Sequence, residues 1–268
     1  MASVAGTAVR TTQPNAVTMP NALVLAGSRP STIDPVAAAE GVSHKALVDV
    51  GGMPMLARVL HALRAAGIEH IAVSADAPEV LSLAYALNAI PVPPGKGPSG
   101  SVAAGFATMG PPLLVTTADH ALLRPQWIAD FIADTPPHAD VAILLARRAL
   151  VEAALPGTRR TWLRFADGAW SGCNMFLLNT PAAAAAIRTW EAVEAERKQP
   201  WKIAARLGAG TLLSYLSGRL TLAEAIARLG DKVGLKAVVV AARDGLAAVD
   251  VDKIADLVQV RQILSGKV

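Results

Sequence analysis

Residues able to do chemistry are sparse in this chain, and three carboxylates stand out by where they fall. The turn Thr117-Ala118-Asp119-His120 closes the apolar run Pro112-Leu113-Leu114-Val115-Thr116. Such a run, bounded by Pro and followed by the helix-like segment Arg124 to Asp134, reads as a buried strand with one carboxylate at its C-terminal end. Ligands of open α/β sheets bind at that edge. More than a hundred residues later, Val249-Asp250-Val251-Asp252 offers two more carboxylates, read as following an apolar strand and preceding the amphipathic segment Lys253 to Leu264. Asp119 with Asp252, or with Asp250 as the rival ligand, would bring hard oxygen donors to one sheet edge. A magnesium ion holding a nucleotide's phosphates needs such a set.

A second group of residues could hold phosphates. Ala26-Gly27-Ser28-Arg29 follows Leu25 at the end of the first apolar run, and small residues there let backbone amides approach an anion while Arg29 neutralises it. The sequence has neither the three-glycine dinucleotide fingerprint nor the spacing of a Walker loop, so an ordinary strand-to-loop turn reads equally well. Ser99-Gly100-Ser101 opens a helix as either a nucleotide-contacting turn or an N-cap. His44, His61, His70, His120 and His138 have no metal-ligand spacing and read as structural or solvated, with His61 near the packed face of its helix and His120 notable for adjoining Asp119. Asn174 could hydrogen-bond a ligand hydroxyl or form a turn. Arg159, Arg160 and Arg164 could receive a phosphate or be ordinary solvated surface arginines.

The elements that must position these residues alternate strictly from Asn21 onwards. Strands are expected at Ala22 to Leu25, Ile68 to Ser74, Ala89 to Val92, the run ending at Asp119, and Val141 to Ala146. Helices are expected at Met53 to Ala66, Glu79 to Leu87, Ser101 to Met109 and Gln126 to Asp134, with a long loop between the first strand and Lys45. This alternation implies a three-layer α/β/α, Rossmann-like, mostly parallel sheet with right-handed crossovers. After Leu150 the pattern loosens. Strands at Trp162 to Phe165 and Met175 to Leu178 flank an Asp167-Gly168 turn, a helical insert fills about 181–230, and a strand follows at Ala237 to Ala241. Residues 1–20 read as a disordered extension and 21–268 as a single domain.

Composition narrows the class. With 53% hydrophobic and 17% charged residues among 268, the chain can bury a large core. No apolar run approaches the roughly 18–20 residues of a bilayer helix. A single cysteine, Cys173, cannot form an intramolecular disulfide, and a reducing, cytoplasmic location is expected. The net charge of +4 suits an anionic substrate, yet the basic residues are scattered rather than striped, so nucleic acid is not expected as a partner. The segment Ile203 to Leu229, with Leu212, Leu213, Leu216 and Leu220, is amphipathic and could pack in the core, support a homodimer, cover an apolar ligand or contact a membrane surface.

Taken in order, Leu25-Ala26-Gly27, Lys45-Ala46-Leu47-Val48, Gly52-Met53-Pro54-Met55, Asp119 and Val249-Asp250-Val251-Asp252 with Ala255-Asp256-Leu257 resemble the nucleoside-triphosphate transferase superfamily. The likeness, strongest to the molybdenum-cofactor guanylyltransferase-like group, spans about Asn21 to Leu264. It implies a nucleotidyltransferase that moves a nucleoside monophosphate to a phosphorylated small-molecule acceptor and releases pyrophosphate. Magnesium would be the cofactor, with Asp119 and Asp252 as its ligands and Lys45 at the α-phosphate or pyrophosphate. Arg29 would face the β and γ groups and the amides of Ala26 to Ser28 would cradle the phosphates. Departures are Ser28-Arg29-Pro30-Ser31 in place of a glycine-rich loop and Ala121 where a proline is usual. A nucleotide-sugar glycosyltransferase, which typically has Asp-x-Asp at a mid-chain strand, and a catalytically degenerate nucleotide-binding protein are the alternatives.

Overall fold

The computed structural model describes residues 19–28, 34–158, 160–195 and 208–266. Eight strands among them form one sheet: β1 (Asn21–Leu25), β2 (Ile71–Ser74), β3 (Ile90–Val92), β4 (Leu113–Thr117), β5 (Val141–Arg147), β6 (Leu163–Phe165), β7 (Gly168–Leu178) and β8 (Ala237–Ala241), in the order β3-β2-β1-β4-β7-β5-β8 with β6 on β7. The β1, β2, β3 and β4 pairings are parallel, as is β5 with β8. One strand breaks the expected parallel run: β7 is antiparallel to β4, β5 and β6. Its reversal brings the N-terminal end of β7 to the same edge as the C-terminal ends of β4 and β5.

Helices cover both faces, and the alternation along each strand explains why. Ala22 and Val24 face one layer, formed by α2 (Met55–Ala65), α3 (Pro78–Ala86), α5 (Pro125–Asp134), α6 (Arg148–Ala154) and α10 (Ile254–Leu264). Leu23 faces the other, with α4 (Gly97–Met109) and α7 (Ala184–Ala195). Close approach of α4 to the sheet requires Gly105, since a Cβ there would lie 2.4 Å from Leu23 Cδ2. The helical insert contributes α8 (Ala209–Leu216) and α9 (Leu222–Asp231); α9 packs Leu222 and Ile226 on Leu145, Trp170 and Val239. Leu220 is buried, whereas Leu213 and Leu216 of α8 are exposed.

Four local expectations are corrected. The loop before Lys45 contains a short helix, α1 (Pro35–Ala39), because Asp34 Oδ1 accepts from the amides of Val36 and Ala37 and Pro35 occupies the first turn. The segment before Asp250 is not a strand: a 3-10 turn, Gly245–Ala248, leads into extended coil. Trp162 lies outside β6, while the second strand of that pair begins at Gly168 and runs unbroken to Leu178. His61 lies on the exposed side of α2. Among the described residues, no helix is long and apolar enough to cross a membrane.

Candidate active site

The β4 turn holds Asp119 by local bonds. Ala118 N donates to Leu25 O at 2.9 Å, which continues the β1–β4 pairing past the strand end, and the Thr117 hydroxyl donates to Asp119 Oδ1 at 2.5 Å. Asp119 O accepts from Val251 N at 3.1 Å, so the mid-chain turn and the 249–252 segment are joined through the backbone. Arg58 of α2 adds a second tie, with Nε on Ala121 O at 3.0 Å and Nη1 on Val50 O at 3.3 Å. One guanidinium thus links the turn that bears Asp119 to the loop that follows Lys45.

Lys45 opens a 3-10 turn, Lys45–Leu47, capped by His44, whose Nδ1 accepts from Ala46 N at 3.0 Å. An acceptor nitrogen requires an unprotonated ring, and burial holds the His44 pKa below its ordinary value. The Lys45 ammonium lies 2.7 Å from Asp119 Oδ2 and 3.6 Å from Asp252 Oδ1. Burial disfavours its charge, but Asp119, together with Asp252 and Asp34, outweighs that and its pKa is raised. For Asp252, burial and the repulsion of Asp250 raise the carboxyl pKa, against the pull of Lys45. Asp252 does not cap α10. Asp256 does so, accepting from the amides of Asp252 and Lys253 at 3.0 and 2.9 Å, and this leaves the Asp252 carboxylate to face Lys45.

Asp250, the rival metal ligand, is engaged at both oxygens. Arg160 Nη2 donates to Oδ1 at 2.6 Å and Asn174 Nδ2 donates to Oδ2 at 2.8 Å. Asn174 reaches it from an irregularity in β7, where the register against β5 shifts between Ile143 and Leu145 and Asn174 takes φ 49°, a left-handed conformation that Asn tolerates. The pattern therefore separates the two carboxylates: Asp252 points to Asp119 and Lys45, Asp250 to Arg160 and Asn174. Arg160 accordingly meets a carboxylate of its own chain, and Arg164 is exposed on β6. Arg29 and Arg159 lie outside the described residues.

The phosphate turn also differs in detail from expectation. Ala26 N donates to Ser74 O at 2.9 Å, extending the β1–β2 ladder, so this amide cannot cradle a phosphate; Leu25 O is likewise bonded to Ala118 N. Gly27 and Ser28 follow as exposed residues at the sheet edge, with Ser28 Oγ 3.5 Å from Asp76 Oδ1. At the head of α4, Ser99 N and Oγ both donate to Glu194 Oε2 of α7, at 3.1 and 2.5 Å, and Ser101 Oγ accepts from Gly95 N at 3.1 Å. Gly100 is packed so closely that a Cβ on Gly95 would lie 2.2 Å from its carbonyl carbon. Glu194 was not legible from pattern, being 95 residues from its partner. Thr117 could have been found as a hydroxyl two residues before a carboxylate, a common local turn bond.

Two buried groups play no reactive part. His120 stacks on Trp127, with centroids 6.1 Å apart, and burial pushes its pKa down to about 4. The Cys173 thiol is buried and pushed up to about 12, so it stays protonated. No group of three or more His, Cys, Asp or Glu side chains among the described residues is arranged to hold a metal unaided. Two carboxylates that share one ammonium do fit a divalent cation that takes its other ligands from phosphate and water.

Comparison with known proteins places the chain among nucleotidyltransferase relatives. A 3-deoxy-manno-octulosonate cytidylyltransferase from Rhodopseudomonas palustris (strain BisB5) is 31% identical over 118 residues, which is 41% of this chain and 48% of that protein. The match thus spans about half the length of that relative. A hypothetical transferase structure from Thermus thermophilus superposes with TM-score 0.76 and 31% identity, covering 89% of this chain and 99% of the other. CMP:2-keto-3-deoxy-manno-octonic acid synthetase complexed with CTP shares the fold, with TM-score 0.56 and 18% identity over 92% of this chain and 99% of that one. The model of the MobA-like NTP transferase domain matches residues 22–208, from β1 through the β4 turn and into the insert, and the chain belongs to that family.

Proposed function

We propose that the protein transfers a nucleoside monophosphate from a nucleoside triphosphate to a small-molecule acceptor, with magnesium, and releases pyrophosphate. The observation that carries this reading is the convergence of Lys45, Asp119 and Asp252 at the C-terminal sheet edge of a MobA-like NTP transferase fold. An acceptor oxygen attacks the α-phosphorus in line, forming one P–O bond as the bond to the pyrophosphate oxygen breaks. Little covalent work is asked of the protein, so positioning and charge neutralisation dominate. Asp119 and Asp252 would hold magnesium, which when bound neutralises phosphate oxygens and orients them for attack. Lys45 offers its ammonium to the α-phosphate or leaving pyrophosphate, where charge accumulates. Gly27 and Ser28 supply small residues beside the triphosphate, and Arg29 is assigned to its β and γ groups.

Cytidine triphosphate is the first donor to test, because the curated relative is named as a cytidylyltransferase and the synthetase structure was solved with CTP. For the acceptor, the expected class is a phosphorylated sugar or alcohol, with Arg159, Arg160, Arg164 and Asn174 on its side of the cleft. A sugar acid without phosphate is the second reading. It is favoured by the pairing of Arg160 and Asn174 with Asp250, which neutralises the guanidinium and leaves carboxylate and amide groups suited to hydroxyls. A pyrophosphate-release assay crossing the four nucleoside triphosphates with phosphorylated sugars, phosphorylated alcohols and sugar acids tests both. Magnesium-dependent release with one donor–acceptor pair supports the proposal. Turnover with nucleotide-sugars and none with triphosphates would overturn it.

A further inference from the structure

We infer that Lys45 is a built-in occupant of the divalent-cation position, so that the metal enters the site only in company with a triphosphate. The inference rests on the assignment of Asp119 and Asp252 as the magnesium-binding pair, and it concerns how this chain controls that pair.

The geometry leads there in three steps. The ammonium contacts Asp119 Oδ2 at 2.7 Å and approaches Asp252 Oδ1 at 3.6 Å, placing one positive charge between the two carboxylates. The other Asp119 oxygen already accepts from the Thr117 hydroxyl at 2.5 Å. A magnesium ion on Oδ2 would sit about 2.1 Å from that oxygen, well within the range over which it and the ammonium repel. The two carboxylates and one ammonium also leave a single net negative charge, and no third acidic or imidazole ligand completes a site among the described residues.

A triphosphate changes both terms. Its oxygens complete the coordination of the cation, and they give the ammonium a more strongly anionic partner than Asp119. Lys45 then leaves the carboxylate pair as the metal arrives, and the same side chain that excludes the metal alone becomes the cation at the reacting phosphate. The site is thereby closed to adventitious divalent ions while it lacks substrate.

The test is binding of manganese to the full-length chain, read from the electron paramagnetic resonance signal of free Mn²⁺, alone and with each of the four nucleoside triphosphates. Without nucleotide, Lys45→Met and Lys45→Gln are expected to bind Mn²⁺ at least about tenfold more tightly than the parent, because one repelling charge is removed. Lys45→Arg, which keeps a cation there, is expected to match the parent, and adding Asp119→Ala to Lys45→Met is expected to abolish the gain. Melting curves identify any variant that fails to fold, and the Met and Gln variants serve as independent replacements for each other. If triphosphates bring Mn²⁺ to the parent but neither neutral variant binds the free ion more tightly than the parent does, the placeholder role is wrong while the metal assignment stands. If no triphosphate brings Mn²⁺ to the parent, the metal assignment fails and the placeholder falls with it.

Discussion

Lys45 carries the sharpest expectation at the scale of single residues. Its ammonium is held by Asp119 before substrate arrives and is assigned to phosphate charge during transfer. Lys45→Ala is therefore expected to lower turnover by about 10²–10³-fold, with a much smaller loss of triphosphate affinity; steady-state pyrophosphate release beside equilibrium titration separates the two. Unchanged turnover would remove Lys45 from the chemistry. A second expectation concerns Arg160 and Asp250, which are both largely shielded from solvent. Arg160→Ala strands the Asp250 charge and is expected to cost about 2–3 kcal/mol in urea unfolding. Removing both partners in Arg160→Ala/Asp250→Ala should restore part of that loss, since no unpaired charge remains. A double variant as unstable as the sum of the single ones would show that the pair is not coupled. The identities of Lys45, Asp119 and Asp252 were readable in order along the chain. Which of Asp250 and Asp252 faces the cleft was not, because the answer lies in Arg160 and Asn174, 90 and 76 residues from Asp250.

Among the elements, α4 shows how tightly the site's scaffold is fitted. Gly105 has no room for a Cβ against Leu23 of β1. Gly105→Ala gains helix propensity but must push the helix off the sheet, and a net loss of about 1–3 kcal/mol is expected in chemical denaturation. A neutral or stabilising result would mean that the α4–β1 contact yields easily. The strand alternation that identifies β1 to β5 is legible because buried parallel strands read as short apolar runs between helices. The same property hides direction. β7 is buried between β4 and β5, so its apolar C-terminal half gives no sign that it runs antiparallel. The short helix α1 was legible in principle, from Asp34 as cap and Pro35 in the first turn. Its bond to the rest of the fold was not: Glu40, just past its end, meets Arg261 of α10 in a two-pronged pair at 2.9 and 2.6 Å, across 221 residues.

For the whole molecule, the pH dependence of stability follows from histidines that the fold keeps neutral. Burial depresses the pKa of both His44 and His120, the latter to about 4. The sign is set by the unfolded chain, whose histidines take up protons near pH 6.5 while the folded ones do not. Their contribution is thus fully present above about pH 6.5 and is lost as pH falls towards the folded values. Unfolding free energies measured between pH 7.5 and 4 are expected to decline on the acid side, by about 3 kcal/mol for His120 once its full shift is spanned. Replacing His120 with Phe, which can keep the ring packing on Trp127, should flatten the slope; a slope unchanged by that replacement would assign the acid sensitivity elsewhere.

The central claim is that Asp119 joins metal and triphosphate at one sheet edge, and calorimetric titration tests it most directly. Each nucleoside triphosphate is titrated into the parent and into Asp119→Ala, with and without magnesium. The parent is expected to bind at least one triphosphate more tightly when magnesium is present, and Asp119→Ala to lose that metal-dependent increment while melting as a folded protein. Equal affinity of parent and variant in the presence of magnesium would contradict the account.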